Sequence, residues 1–256
     1  MRALLVAFTM FMLTCFYGGV VIIASLLGIR DRPNGIYQWG ARGWARGVCA
    51  AAGMKVHIHG TENVSRDARI YVSNHTSWFD IFALAGYLRN YTFIAKVELS
   101  RVFLFGRAAR AVGIVFIERA NRKAAFESYK DAAKMVGTGK SVIVCPEGTR
   151  GYDYRLRHFK KGPFVLAISA GVPIVPTIVH GVIEVQRKGN FRVHPGTANV
   201  HFLEPVATTG YTYEQRDELT QIVWSRMADA MRELYGVDSG TIPAADERDP
   251  IPTSFL

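Results

Sequence analysis

A histidine and an aspartate five residues apart carry the first chemical signal: His75 and Asp80, in the run Ser73-Asn74-His75-Thr76-Ser77-Trp78-Phe79-Asp80. A carboxylate bonded to one ring nitrogen of an imidazole fixes its tautomer and leaves the other nitrogen as a base. An alcohol needs such a base to act as a nucleophile near neutral pH, at a gain of about 10²–10⁴ in rate. The spacing sets a condition on the backbone. On one straight helix the two side chains diverge by about 140°, so they meet only if His75 lies in the turn before a helix. Ser77 is then the N-cap and Asp80 the third helical residue. The same Ser-x-x-Asp pattern is also a helix capping box, which gives Asp80 a purely structural alternative.

A second polar cluster follows an apolar strand pattern, Val142-Ile143-Val144-Cys145, and reads Pro146-Glu147-Gly148-Thr149-Arg150-Gly151. Loops at strand ends are where α/β sheets bind ligands, and the Arg150 guanidinium can hold a phosphate through two hydrogen bonds. A charged turn closed by a surface ion pair is the structural alternative. Cys145 invites a covalent route through an acyl-cysteine, but a cysteine ending an apolar strand is ordinarily a small core side chain. No Gly-x-Ser-x-Gly elbow occurs, which argues against a lipase of the α/β-hydrolase type. His57 and His59 alternate on a strand, and no spacing nominates a third ligand, so no metal site is expected.

Two further segments complete a pattern: Gly113-Ile114-Val115-Phe116-Ile117-Glu118-Arg119 and Phe159-Lys160-Lys161-Gly162. With Asn74–Asp80, Phe116–Arg119, Glu147–Arg150 and Val172-Pro173-Ile174-Val175-Pro176 in this order, the chain resembles the lysophosphatidate acyltransferases. These are the 1-acyl-glycerol-3-phosphate acyltransferases, within the glycerolipid acyltransferase superfamily. The resemblance covers roughly residues 54 to 205. It implies that His75 is the general base and that Asp80 orients and charge-stabilises its imidazole. Arg119 is implied as a glycerol-phosphate contact, and Glu147, Gly148, Thr149 and Arg150 as the acceptor-binding loop. Lys96 resembles another cationic position near the phosphate, Lys160 is weighed beside it, and Asn74 is placed with the substrate-binding residues. One departure stands out: Cys145 occupies a position that is commonly Phe.

The resemblance also implies the reaction. A fatty acyl group passes from acyl-coenzyme A or acyl carrier protein to the free hydroxyl of lysophosphatidate in a ternary complex, with no metal or organic cofactor. Backbone N–H groups at the helix start after Ser77 are expected as oxyanion donors. The same chemistry on glycerol-3-phosphate, another lysophospholipid or lyso-ornithine lipid is the alternative within the class. A non-catalytic membrane protein that binds anionic lipid is the alternative outside it.

These residues need a scaffold. From Met54 onward, short β-rich runs (54–59, 69–73, 91–95, 113–117, 141–145, 173–179 and 200–203) alternate with helical patterns (78–88, 99–111, 122–136 and 162–170). Such alternation predicts an α/β fold, with a mixed, largely parallel sheet flanked by helices. Residues 213–235 read as an amphipathic helix. The chain divides into a membrane anchor at 1–52, an acyltransferase domain at 53–236 and a loose tail at 237–256.

Ala3 to Ile29 carries no charged side chain. As a helix it extends about 40 Å, enough to cross a bilayer core with some tilt. Its length and the lack of a small-x-small site argue against a cleaved signal peptide. Residues 35–52 place Gln38, Arg42 and Arg46 on one face, as a helix lying in the headgroup layer or covering the globular core. The anchor is thus one spanning helix or a two-helix element. Arg30, Arg32, Arg42 and Arg46 follow the apolar stretch against Arg2 before it, so the positive-inside rule puts the bulk of the chain on the cytoplasmic face of the inner membrane. The net charge of +10 calls for an anionic partner. A membrane surface and a lipid acceptor fit the apolar N-terminus, and no nucleic-acid motif is present. Three cysteines without a CxxC pair predict neither a disulfide framework nor a zinc site.

Overall fold

The computed structural model describes residues 2–118 and 122–242. Its strands are β1 (Met54–His59), β2 (Ile70–Ser73), β3 (Tyr91–Lys96), β4 (Val115–Ile117), β5 (Ser141–Val144), β6 (Ile174–His180) and β7 (Gly196–Phe202). They form one sheet in the order β1-β7-β6-β2-β5-β3-β4. Every pairing is parallel except that of β6 with β7, so β1 and β7 run against the rest. The mixed, mainly parallel sheet expected from the alternation is present.

The helices are α1 (Arg2–Leu13), α2 (Gly19–Leu26), α3 (Ile36–Ala52), α4 (Trp78–Tyr87), α5 (Phe105–Ala111), α6 (Arg122–Gly137), α7 (Gly162–Ala170), α8 (Val182–Val185) and α9 (Arg216–Tyr235). Side chains alternate across the sheet with period two, and the two cores follow that alternation. Tyr71, Ile143 and Val175 face one side with Phe79, Phe82 and Leu84 of α4 and Val48 of α3. Ile70, Val72, Val142 and Val144 face the other, against Phe164 of α7 and Val223 and Met227 of α9. With both faces covered, the central strands carry no polar alternation, and β2 and β5 are buried along their whole length.

α1 and α2 are joined by a π-helical turn at Thr14–Gly18 into one helical stretch, Arg2–Leu26. It is long and apolar enough to cross a membrane, and only 17% of its most apolar window is buried. Leu4, Phe8, Phe11, Phe16 and Ile23 are exposed. α3 runs back along this stretch. Three of its glycines allow close approach: a Cβ on Gly40 would meet Val21, one on Gly43 would meet Tyr17, and one on Gly47 would meet Leu13. The rising numbers of one partner against the falling numbers of the other define an antiparallel pair.

Of the two placements left open for α3, its polar stripe meets protein at two positions, and two further expectations are corrected. Gln38 is 2% exposed and donates from Nε2 to the Tyr91 carbonyl, while the Arg46 Nε donates to the Gly86 carbonyl. The helix expected over 99–111 is broken into a 3₁₀ turn, Val97–Arg101, and α5, with Leu104 between them at φ 61°. β7 starts at Gly196 rather than Val200, because pairing with β1 extends it.

Candidate active site

β2 and β5 are parallel neighbours, with Val72 opposite Val144. Their chains therefore leave the sheet at the same edge, and strand pairing alone brings the His75 turn against the Glu147 loop. β3 lies on the far side of β5 and ends at Lys96 on that edge.

Beyond β2 the backbone turns before α4 begins, the condition that the five-residue spacing imposes. His75 Nδ1 lies 3.0 Å from Asp80 Oδ2 and 3.1 Å from Oδ1. Asp80 is 1% exposed, and its Oδ2 also accepts the Thr76 and Ser77 backbone N–H groups at 2.8 and 3.0 Å. An ionised carboxylate only accepts, so Nδ1 carries the ring proton and Nε2 is left as an acceptor. Ser77 caps α4, and the capping box with Asp80 is formed. The structural and chemical readings of this aspartate hold together, since one carboxylate closes the helix start and grips the imidazole. Thr76 and Ser77 spend their N–H groups on Asp80. Of the N–H groups after Ser77 that were expected as oxyanion donors, that of Phe79 is given to the Ser77 hydroxyl.

The Glu147 loop braces the same turn. The Glu147 Oε1 accepts the His75 backbone N–H at 3.0 Å, Oε2 accepts the Arg157 Nε–H at 2.9 Å, and the Gly151 N–H donates to the His75 carbonyl at 2.7 Å. Burial pushes the Glu147 carboxyl up to about 7, against the opposing pull of Arg157 and the His75 N–H. Arg157 also donates to the Thr149 carbonyl, and its own carbonyl accepts the Trp224 indole N–H from α9 at 3.0 Å. Sequence reasoning passed over Arg157, because nothing in its local pattern links it to a residue ten positions earlier.

A cavity of about 460 Å³ opens beside this turn. His75, Trp78, Gly148, Thr149 and Arg150 form its polar end, and side chains such as Val21, Ile81, Phe82, Phe93 and Val112 line the remainder. The Arg150 guanidinium lies over the Trp78 ring, 4.9 Å from its centroid. Partial burial lowers its pKa, and the nearby Asp80 opposes that shift. Lys96 borders the cavity and pairs with Glu98 at 2.9 Å. The Cys145 Sγ is also at the lining, 4.0 Å from the Asn74 carbonyl. Among the described residues, no group of three or more His, Cys, Asp and Glu side chains is arranged to hold a metal ion.

Two expected substrate contacts are placed elsewhere. Asn74 is 1% exposed, and its side chain is taken up by the Val179 carbonyl and N–H at 3.0 and 2.8 Å; it tethers the chain leaving β2 to β6. Glu147 is turned into the protein toward Arg157 and does not line the cavity. Arg119 follows β4 and lies outside the described residues.

Comparison with known proteins identifies the family. The family described as Acyltransferase matches residues 55–180. A 1-acyl-sn-glycerol-3-phosphate acyltransferase of Limnanthes alba is 36% identical over 173 residues, covering 67% of this chain and 61% of its own length. The chain thus spans about three fifths of that plant relative. The protein of the same description from Saccharomyces cerevisiae is 30% identical over 224 residues, covering 86% of this chain and 73% of its own. The crystal structure of the 1-acyl-sn-glycerophosphate (LPA) acyltransferase PlsC from Thermotoga maritima superposes with a TM-score of 0.78 at 29% identity, over 93% of this chain and 97% of that one. The fold and the sequence likeness point the same way, and the chain belongs to the 1-acyl-sn-glycerol-3-phosphate acyltransferase family.

Proposed function

We propose that this protein transfers a fatty acyl group from an acyl thioester, on coenzyme A or acyl carrier protein, to the free hydroxyl of lysophosphatidate, yielding phosphatidate. The observation that carries the reading is the His75–Asp80 pair at the polar end of an apolar cavity, beside Arg150. The cavity suits an acyl chain, whose transfer out of water is favourable by about 0.8 kcal/mol per methylene. With the chain so held, the thioester carbonyl lies at the polar end. Arg150 takes the acceptor's phosphate, and Arg119 and Lys96 supply further positive charge.

The acceptor hydroxyl oxygen attacks the thioester carbonyl carbon, and its proton passes to His75 Nε2. Asp80 stabilises the resulting imidazolium through Nδ1. Collapse of the tetrahedral intermediate breaks the C–S bond, and the leaving thiolate takes the proton from Nε2. Glu147 and Asn74 act at one remove, by holding the His75 turn on β5 and β6.

The exposed apolar face of the N-terminal stretch suits insertion into a membrane. α3 lies along it with Arg42 and Arg46, whose charge a bilayer core disfavours, and this supports a two-helix element that enters one leaflet over a single spanning helix. The basic residues Arg30, Arg32, Arg42 and Arg46 that follow the stretch suit the anionic cytoplasmic leaflet, which supports placing the domain on the cytoplasmic face of the inner membrane.

His75→Ala tests the reading through thiol release from palmitoyl-coenzyme A with and without lysophosphatidate. Loss of acceptor-dependent release by about 10³-fold, with an unchanged circular dichroism spectrum and melting temperature, is the expected result. Wild-type turnover in that variant would remove the base from the mechanism.

A further inference from the structure

The segment between α8 and β7, Gln186–His194, is Gln-Arg-Lys-Gly-Asn-Phe-Arg-Val-His: three cations and no acid. It is a held excursion. The Asn190 N–H donates to the Arg187 carbonyl across a turn in which Gly189 has φ 79°, and the Asn190 side chain accepts the Arg192 N–H at 2.8 Å. The His194 N–H returns to the Val185 carbonyl at 3.0 Å, and Val193 is buried. At the tip of this fixed loop Phe191 is 88% exposed, with Arg187 and Arg192 exposed on either side.

The loop borders the active site. The Ser77 hydroxyl, one residue from the cavity-lining Trp78, donates to the Gln186 carbonyl at 2.8 Å. The Lys188 ammonium lies 4.1 Å from the centroid of Tyr152, two residues from Arg150. The same cavity is walled elsewhere by Thr14, Tyr17 and Val21 of the N-terminal stretch.

We propose that the Gln186–His194 loop is a second membrane contact, in which Phe191 enters the headgroup–acyl boundary while Arg187 and Arg192 bind anionic phospholipid headgroups. An aromatic ring with flanking cations is the composition that suits this layer, and the charge complements an anionic leaflet. The contact sets the polar end of the cavity at the depth where a lysolipid hydroxyl resides. It does not depend on which lipid is acylated.

The test uses the full chain, bound through its N-terminus to phosphatidylcholine vesicles with or without phosphatidylglycerol. Phe191→Trp is compared with the parent chain to isolate the added fluorescence. The expected added emission is blue-shifted and quenched by lipid brominated in the acyl chains, more strongly with phosphatidylglycerol and less at high salt. Adding Arg187→Gln or Arg192→Gln lowers the inserted-to-free ratio by about fivefold each, while the chain stays vesicle-bound. Added emission that remains unshifted, and is quenched only by aqueous iodide on both vesicle types, overturns the proposal and leaves the loop to a soluble partner.

Discussion

At the residue scale, two carboxylates that both hold the His75 turn are given different tasks by their surroundings. Asp80 accepts from an imidazole and two backbone N–H groups, which fixes the ring and closes the start of α4. Glu147 is buried, and burial carries its carboxyl up to about 7. Its folded value exceeds the ordinary carboxylate value of about 4.3, so the folded state holds the extra proton between those limits. Stability therefore falls as pH rises from about 4.3 to about 7 on account of this group. Glu147→Gln should flatten that part of the stability profile, measured by denaturant unfolding across the window. It should also lower turnover, because a neutral amide braces the His75 N–H less strongly and sets an N–H against Arg157. At Arg150 the expectation is different in kind. Arg150→Ala should raise the apparent KM for lysophosphatidate by about 10–100-fold, the worth of a charged hydrogen bond, and leave an acceptor without phosphate unaffected. Steady-state kinetics on the two acceptors makes the comparison.

At the element scale, α3 shows how a sequence pattern can fix a period and leave its direction open. Gln38, Arg42 and Arg46 do share a face, but Gln38 and Arg46 bond to β3 and to the end of α4. Helical periodicity defines a stripe without saying what lies opposite it. The glycines of α3 decide the other face, since a side chain at Gly43 would have to displace the Tyr17 ring 2.5 Å away. Gly43→Val should destabilise the helical pair by about 1–3 kcal/mol, the usual cost of overpacking. Thermal unfolding in detergent should show a lowered midpoint, and Tyr17→Ala in the same chain should recover part of it by making room.

For the molecule as a whole, the far edge of the sheet is held by stacked rings. His59 stacks on His201, and His180 stacks on Tyr235 at the end of α9. The His201 Nε2 lies 2.6 Å from the Tyr235 hydroxyl. Burial, followed by the neighbouring His59 and His180, pushes His201 down to about 4. A folded value below the ordinary 6.5 or so means that the unfolded chain binds the proton first. The contribution of this cluster is present above about pH 6.5 and is lost as pH falls toward 4. His201→Gln should reduce the loss of melting temperature between those pH values. α9 also reaches the active site through Trp224 and Arg157, so its docking and the His75 brace belong to one packed unit.

Much of this was legible in the sequence, for reasons specific to each part. The strand runs stood out because both faces of the central sheet are buried, which leaves unbroken apolar stretches between polar turns. The His75–Asp80 pairing could be stated as a condition on the backbone, because with a capping serine and a five-residue spacing the two meet only if His75 lies in the turn before the helix. Both are short-range properties of the chain. What required the tertiary structure was long-range: that β2 and β5 are neighbours, that Asn74 and Glu147 turn away from the cavity to brace His75, and that Arg157 belongs to the site at all. Those outcomes depend on which strand lies beside which and on what fills the space opposite a polar face. Neither is encoded within the span of a turn or a helix.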